Sequence, residues 1–523
     1  MNGVPGPFRP SLLEEPRALV DALGEAGYTA DNLARIGALP RGTESVPVWE
    51  LRRRAAGEGK LETLVRLFML AQTEDAPAVE KALGASLTRS LAAAGLVVSH
   101  SGGWRAEAAL VPTGELFFLR DFGAETLGVT GDKLRVDHVL PVGKASVLAA
   151  QLTVRRPGKL GLDLGTGQGF QAVACASHCD RVIATDITER SLSFAAMNAR
   201  LNGLPVAEPG RGVEVRLGGF FEPVEDLRGT FDTIVCNPPF VITPPQDVVA
   251  FSGGDGGGAE GDGIVARIVR EAPAFLAEGG FATIVMNWRH QGRDDWSQRP
   301  ESWLSGSRAD AWLLRSSTRT ARDYALQWVE RFAGSPERVD PAEVDRWTRH
   351  YERLGIAAIS FGAIIIRKRS GGGGGDQANW FRGDEIELDV RHGYAGRQIQ
   401  DVFAGTTLLS SVRSGDDLLA AKVRPATGLV LRENRGLDKA GWRRTSALIG
   451  RAEGLPMDRP SDAATERLLE LCGQEMDLGS ALGRLAGESG VPVDTVLREG
   501  AGAAAELLRA GFLVPMSRAE GES

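Results

Sequence analysis

LGLDLGTGQGFQAV (160–173) is the stretch that decides the fold. An apolar run gives way to three glycines at alternate positions, Gly165, Gly167 and Gly169, and then to a segment that restarts in helical pattern. Strand, glycine turn and helix in that order open a parallel β–α–β unit. The glycines allow tight turning and close approach of backbone to a ligand, and the helix start adds free N–H donors. Two acids extend the pattern. Asp163 sits inside the turn, which suits an amino-group ligand better than a pyrophosphate. Asp186 ends the next strand, RVIATD (181–186), where a carboxylate can accept both hydroxyls of a ribose. A structural turn in an unrelated α/β protein and a nicotinamide or flavin dinucleotide site are the alternatives. Asp163 counts against the second, because it would repel a nearby phosphate.

Outward from this turn, further strands are expected at VEVRLG (213–218), FDTIVCN (231–237), FATIVMNW (281–288), ADAWLLRSS (309–317) and AISFGAIIIRKR (358–369). Helical segments such as SLSFAAMNARLN (191–202) separate the early ones. The expectation is a parallel, doubly wound sheet. Its fourth strand ends in NPPF, Asn237 to Phe240, where proline stops the ladder. That end falls beside the glycine turn, at the crevice where such sheets bind ligands. The Asn237 side-chain carbonyl and the Pro238 backbone carbonyl can each accept one N–H of a planar NH₂ group. The lone pair is thereby aimed at an electrophilic methyl, and charge developing on nitrogen is stabilised. Pro239 stiffens the backbone, and Phe240 can stack on a flat substrate group. A diproline strand stop with an incidental asparagine is the plainer alternative.

DLGTGQG (163–169), Asp186 and NPPF (237–240) resemble the class I S-adenosylmethionine-dependent methyltransferases. Within these, LGGFFEPVEDLRGTFDTIVCNPPF (217–240) and GGDGGGAEGDGIVARIVREAPAFLAEGG (253–280) are similar to the HemK/PrmC-type group, which methylates the side-chain nitrogen of glutamine. The resemblance covers about residues 125–290. It implies a Rossmann-like seven-stranded sheet, mostly parallel, in the order 3-2-1-4-5-7-6. It implies that Asp163, Gly165 and Gly167 hold the methionine part of the cofactor, with Thr166, Gly169 and Asn237 also among the cofactor-binding residues. Asp186, with Ile187, would bind the ribose end, and Asn237, Pro238 and Phe240 the acceptor nitrogen. VDHVLPVGKAS (136–146) is similar to the segment that closes over the cofactor, with Val139 to Gly143 near it. Gly219 stands where the family often has an acid, so Phe220 or Phe221 is expected to flank the adenine instead. Phe240 stands where the glutamine enzymes usually carry tyrosine, which gives some weight to a nucleobase. The expected activity is therefore N-methylation of a protein glutamine. The alternative is an RNA or DNA amino-methyltransferase acting on adenine N6 or guanine N2. A non-catalytic cofactor-binding scaffold is a third reading, which the retained NPPF opposes.

The remaining sequence bounds these readings. With 523 residues, two to four domains are expected. We expect an N-terminal helical, winged-helix-like domain (1–115), the methyltransferase domain (116–370), a glycine linker (371–375), and a partly winged-helix-like C-terminal domain (376–523). Helices are expected at 61–72, 76–84 and 86–97, followed by strand alternation over 96–119. Further helical segments fall at 464–472, 478–489 and 501–515. A net charge of −8 argues against a surface wholly given to nucleic acid. No apolar run reaches membrane-spanning length, and MNGVPGPFRPSLLEEP has no secretion-signal pattern. With only four cysteines, a reducing cytoplasm is expected. CASHC (175–179) lacks a second cluster to complete a metal site, so no metal is expected and both cysteines read as helix residues behind the glycine turn. His138 reads as packing or solvent-facing. RHQGRDDWSQRPESW (289–303) reads as a surface insertion, with a rim of the substrate cleft as the alternative. RSSTRTARDYALQW (315–328) reads as a solvated helix face, with a phosphate patch as the alternative.

Overall fold

The structure is a computed structural model, and it describes residues 7–40, 46–129, 134–206, 208, 210–245, 261–291, 296–334, 336–370, 379–388, 390, 393–439, 441–474 and 476–516. The glycine linker expected at 371–375 lies outside the described residues. The chain divides into two units. Met1–Ala150, Arg156–Ser307 and Ser317–Ala363 form one; Gln151–Arg155, Arg308–Ser316 and Ile364–Ser523 form the other.

The first unit begins with six helices, Pro16–Glu25 (α1), Ala30–Ile36 (α2), Val48–Arg54 (α3), Lys60–Phe68 (α4), Ala76–Leu83 (α5) and Ala85–Ala93 (α6). Thr29 caps α2 by accepting from the Asn32 N–H, and Gly37 closes it in the left-handed conformation. The short strand Glu74–Asp75 (β1) joins Val97–His100 (β2) and Gly103–Ala106 (β3) in an antiparallel sheet of order β1-β3-β2. Ala109–Thr113 (β4) and Leu116–Arg120 (β5) form a separate antiparallel pair. The alternation over 96–119 is thus two hairpins rather than one. The first turns at Ser101 and Gly102, both with positive φ, as a two-residue hairpin turn demands. The second turns just past Thr113, where Gly114 has φ 63°.

After Ala124–Leu127 (α7) and Lys144–Leu152 (α8), the chain enters the sheet: Gly158–Leu164 (β6), Phe170–Cys175 (α9), Cys179–Asp186 (β7), Glu189–Leu201 (α10), Gly212–Leu217 (β8) and Phe231–Cys236 (β9). Gly263–Phe275 (α11) and Leu276–His290 (β10) follow. These five strands run parallel in the order β10-β9-β6-β7-β8. Leu162, Ile183, Ile234 and Ile284 are all fully buried, as expected for strands covered on both faces. The register matters for function. Leu164 pairs with Thr185 on one side and with Cys236 on the other. Gly165, Asp186 and Asn237 therefore leave the sheet together at its carboxyl edge.

Helix α10 is buried along most of its length, and Phe194, Met197 and Leu201 share one core with Phe8, Leu13, Tyr28 and Phe68 of the N-terminal helices. Asn198 and Asn202 lock it to β5: each side-chain oxygen accepts a backbone N–H there, from Leu119 (2.7 Å) and Phe117 (3.0 Å), and each amide returns a hydrogen bond to the same residue's carbonyl. Gln298–Trp303 (α12) follows β10; its Trp303 is buried, and Arg299 forms two hydrogen bonds with the buried Asp262. The described part of 289–303 is thus anchored in the core instead of being a surface insertion. Beyond Ala309–Thr320 (β11), Ala321–Ala333 (α13) and Pro341–Arg353 (α14) pack through Tyr324, Trp347 and Tyr351, before Ala358–Lys368 (β12). Arg322 of the 315–328 stretch pairs with Asp345 on α14.

In the second unit, Ala311–Arg315 of β11 pairs in parallel with Phe381–Glu385 (β13). Its later part holds Gly396–Ser411 (α15), Gly415–Leu419 (α16), Val423–Pro425 (β14), the hairpin of Leu429–Asp438 (β15) with Gly441–Arg451 (β16), and Arg459–Pro460 (β17). Ala463–Cys472 (α17), Leu478–Ser489 (α18) and Val493–Arg509 (α19) then pack around Leu471, Leu482 and Leu508. The run expected as one helix over 501–515 starts earlier, at Val493, and ends in the strand Leu513–Pro515 (β18), which pairs with β14. No described helix is long and apolar enough to cross a membrane.

Candidate functional site

The glycine turn is held by its own acids. Asp163 is 1% exposed, and its Oδ2 accepts from Thr166 Oγ1 (2.6 Å) and from the Ala172 N–H at the start of α9 (2.9 Å). Burial pushes its carboxyl up to about 7, against these two donors that favour the ion. Asp163 thus pins the turn to the helix. Thr166 is tied further by its N–H to the Thr185 carbonyl (2.8 Å). Asp186 at the end of β7 accepts from the Gly167 N–H (3.0 Å) through one oxygen and from the Thr188 N–H (3.0 Å) through the other. Burial raises its pKa as well, opposed by these hydrogen bonds.

Gly165, Gly167 and Gly169 all have positive φ, at 72°, 55° and 87°. Their surroundings differ. A Cβ on Gly169 would meet Ala195 Cα at 2.8 Å, so this glycine serves the close packing of α9 on α10. A Cβ on Gly165 or Gly167 would meet nothing within 4 Å. These two border open space, and the Gly167 N–H is the one that Asp186 accepts. Next to it, Ile187 is 48% exposed although apolar, and a Cβ on Gly219 would lie 3.6 Å from its Cγ2. Phe220 adopts φ +48°, an uncommon conformation for an aromatic residue, with the Arg267 guanidinium 3.9 Å from its ring centre. Phe221 is corrected by the structure: it is buried and stacks on Phe275 at 4.4 Å, so it cannot flank a ligand.

At the end of β9, Asn237 is half-buried. Its Nδ2 donates to Ser146 Oγ (3.0 Å), while its Oδ1 is buried with no hydrogen-bond partner among the described residues. A buried orphan acceptor is costly unless a ligand completes it. Pro238 is buried, and Phe240 is half-buried with its ring 5.8 Å from that of Phe361 on β12. The chain beyond is clamped. The Ile242 N–H donates to Tyr324 Oη (3.2 Å), and Tyr351 Oη donates to the Ile242 carbonyl (2.7 Å). Asn287 Nδ2 at the end of β10 also donates to Tyr324 Oη (2.6 Å).

The 136–146 segment lies against the glycine turn. Gln168 Nε2 donates to the Leu140 carbonyl (3.0 Å), and Gln171 Nε2 to the Ser146 carbonyl (3.3 Å). Asp121 anchors its other end by accepting from the Val139 N–H (2.8 Å) while paired with Arg190. His138 approaches the same carboxylate at 3.8 Å, and desolvation lowers its pKa, so it belongs to this anchor. Cys175 and Cys179 are both buried, but Cys179 begins β7 rather than continuing the helix. Sequence reasoning missed Ser146, Gln168, Tyr324 and Tyr351. Their hydrogen-bond partners lie 25 to 109 residues away in sequence.

The methyltransferase small domain family matches residues 142–296, the segment that carries the glycine turn, Asp186 and Asn237. A family described only as a domain of unknown function matches residues 25–107. A Methanocaldococcus jannaschii protein provisionally named protein N5-glutamine methyltransferase is 28% identical over 30% of this chain and 78% of its own length. The ribosomal protein uL3 glutamine methyltransferase of Bradyrhizobium diazoefficiens is 33% identical over 27% of this chain, and the release factor glutamine methyltransferase of Xylella fastidiosa 38% over 24%. The chain spans 46% of the length of each of these last two. The glycine turn, the acid that ends β7 and the asparagine after β9 define a class I methyltransferase domain that uses S-adenosylmethionine. Within that class, the matched segment is similar to the HemK/PrmC type.

Proposed function

We propose that this protein is a protein-glutamine N-methyltransferase of the cytoplasm. The observation that carries this reading is the Asn237 amide. Its nitrogen is committed to Ser146, and its buried oxygen is the acceptor left over. A planar NH₂ group supplies the missing donor. Its second N–H goes to the Pro238 carbonyl, and Phe240 with Phe361 flanks its plane. Holding both hydrogens in this way turns the nitrogen lone pair along the line of attack and stabilises the charge that grows on nitrogen. No general base is needed, because the methylated nitrogen releases its proton to water. Names of relatives that act on ribosomal protein uL3 and release factors support a protein acceptor here.

In this reading the backbone at Gly165 and Gly167 meets the amino-acid part of the cofactor, and Asp186 accepts the ribose hydroxyls. Ile187, Gly219 and Phe220 form the adenine slot. Bound there, S-adenosylmethionine supplies an electrophilic methyl. Asp163 shapes the turn from below without reaching the ligand. The sheet order 3-2-1-4-5-7-6, the domain limits 1–115, 116–370 and 376–523, and a winged-helix-like fold for α4 to β3 belong to the same proposal. The α–β–α–α–β–β order of that module supports it.

The test incubates the protein with methyl-labelled S-adenosylmethionine and cell extract. Label removed by protease, and recovered as N5-methylglutamine after digestion, is expected, as is its loss in Asn237→Ala. Nuclease-sensitive label, or undiminished transfer by Asn237→Ala, would overturn the reading.

A further inference from the structure

We propose that the hairpin of β15 and β16 docks a nucleic-acid strand, an inference that stands apart from the methyl-transfer site. The base of the hairpin is ordinary core, where Ala447 and Ile449 of β16 are buried. Its outer half is not. From Glu433 to Ser446 every described residue other than glycine is exposed, so both faces of this two-stranded ribbon meet solvent. Cross-strand partners share a face, and the pair Leu437 and Trp442 sets two large apolar side chains side by side near the tip, 67% and 68% exposed. A ribbon of two strands is marginal in water by itself, so an apolar pair held out at its end marks a surface that binding covers.

Charge selects the occupant. Residues 432–444 hold five basic and two acidic side chains, in a chain whose net charge is −8. The arginines have carboxylate neighbours: Arg435 and Arg444 both approach Glu433, Arg444 also pairs with Glu466 on α17, Arg443 approaches Asp438, and Arg432 approaches Asp458. Such surface pairs are weak, and Glu433 is shared by two arginines, so positive charge is left over at the tip together with Lys439. Arg435 lies opposite Arg444 one same-face step, about 7 Å, from the Leu437–Trp442 pair. A ring and a guanidinium pair so spaced suit the base and the phosphate of a nucleotide, the ring by stacking and the fork by paired hydrogen bonds. Two other occupants fit less well. A second copy of the chain would set like charges together, and Arg432, Glu433, Arg435 and Asp438 along the edge strand β15 deter strand addition. A bilayer would have to take in Asp438, next to Leu437.

The test titrates full-length protein into a fluorescently labelled single strand of about 20 nucleotides, made as RNA and as DNA, and reads anisotropy at about 50 mM salt. Micromolar binding is expected, and the tighter of the two strands names the source. Trp442→Ala is expected to weaken binding about tenfold, while Trp442→Phe keeps most of it. Lys439→Glu combined with Arg443→Glu should lower the salt slope by about two. Trp49→Ala, at a tryptophan equally exposed (69%) in the other unit, should leave binding unchanged. The substituted side chains are all exposed, so melting stays at the wild-type value and a loss of binding is not a loss of fold. No binding up to about 100 µM, or wild-type binding by Trp442→Ala, overturns the proposal. So does a paired duplex bound as tightly as the single strand, full competition by polyglutamate at equal charge, or adsorption to phosphatidylserine vesicles without binding to either strand.

Discussion

Alanine at Gly167 and at Gly169 should separate binding from folding. Both glycines have positive φ, so each substitution costs about 1 kcal/mol in backbone strain. At Gly169 the new methyl also lies 2.8 Å from Ala195 Cα and 3.0 Å from Ala195 Cβ. Backbone atoms of a buried helix cannot yield cheaply, and overpacking of this kind adds ~1–3 kcal/mol. The sum is about 2–4 kcal/mol, a melting-temperature loss of roughly 4 °C or more. At Gly167 no protein atom lies within 4 Å of the new methyl, so melting falls by only about 2 °C. The methyl instead enters the space assigned to the cofactor, where an overlap worth ~1.4 kcal/mol or more weakens binding at least tenfold. Scanning fluorimetry gives the first quantity and calorimetric titration with S-adenosylhomocysteine the second. Gly167→Ala binding the ligand as tightly as wild type would refute the placement of the cofactor beside this turn.

Asp186→Asn places an amide where two backbone N–H groups donate, at Gly167 and Thr188, and should weaken S-adenosylhomocysteine binding by roughly 10- to 100-fold in the same titration. Asp163 has a folded pKa of about 7, above its ordinary value, so the folded state holds the extra proton. Its contribution is complete below about pH 4 and is lost as pH rises through 7; thermal melts from pH 5 to 8 should show Asp163→Asn less pH-dependent than wild type. Replacing Tyr324 and Tyr351 by phenylalanine removes both hydroxyl contacts to Ile242, and should cost about 1–3 kcal/mol of stability and lower the methyl-transfer rate without changing cofactor affinity, which melting and kinetics together would check.

Much of the sheet was readable because its signals are local. An apolar run, a glycine turn and a terminal acid sit within single stretches, and β7 and β9 lie within a residue or two of where 181–186 and 231–237 put them. The convergence of Gly165, Asp186 and Asn237 follows from parallel register, which topology dictates. What could not be read depends on side chains meeting across long separations. Ser146 looks like any polar residue early in a helix until Asn237 is beside it. Phe220 and Phe221 are identical in composition; only the left-handed backbone at Phe220 turns one ring outward and sends the other onto Phe275. The helices over 16–36 and 396–411 carry glycines, which lower helix propensity, and tertiary burial overrides that propensity.

Helix α10 carries a practical lesson for anyone trimming the chain. Its inner face serves the sheet, while Phe194, Met197 and Leu201 are covered by residues as early as Phe8, and Ser193 accepts the Phe8 N–H. Cutting at the border of the matched family, near residue 142, would strip that cover and leave a bare oily stripe beside the catalytic crevice. Such a fragment should clump on expression. The amino-terminal helices are therefore best regarded as the missing half of the catalytic domain's own wall.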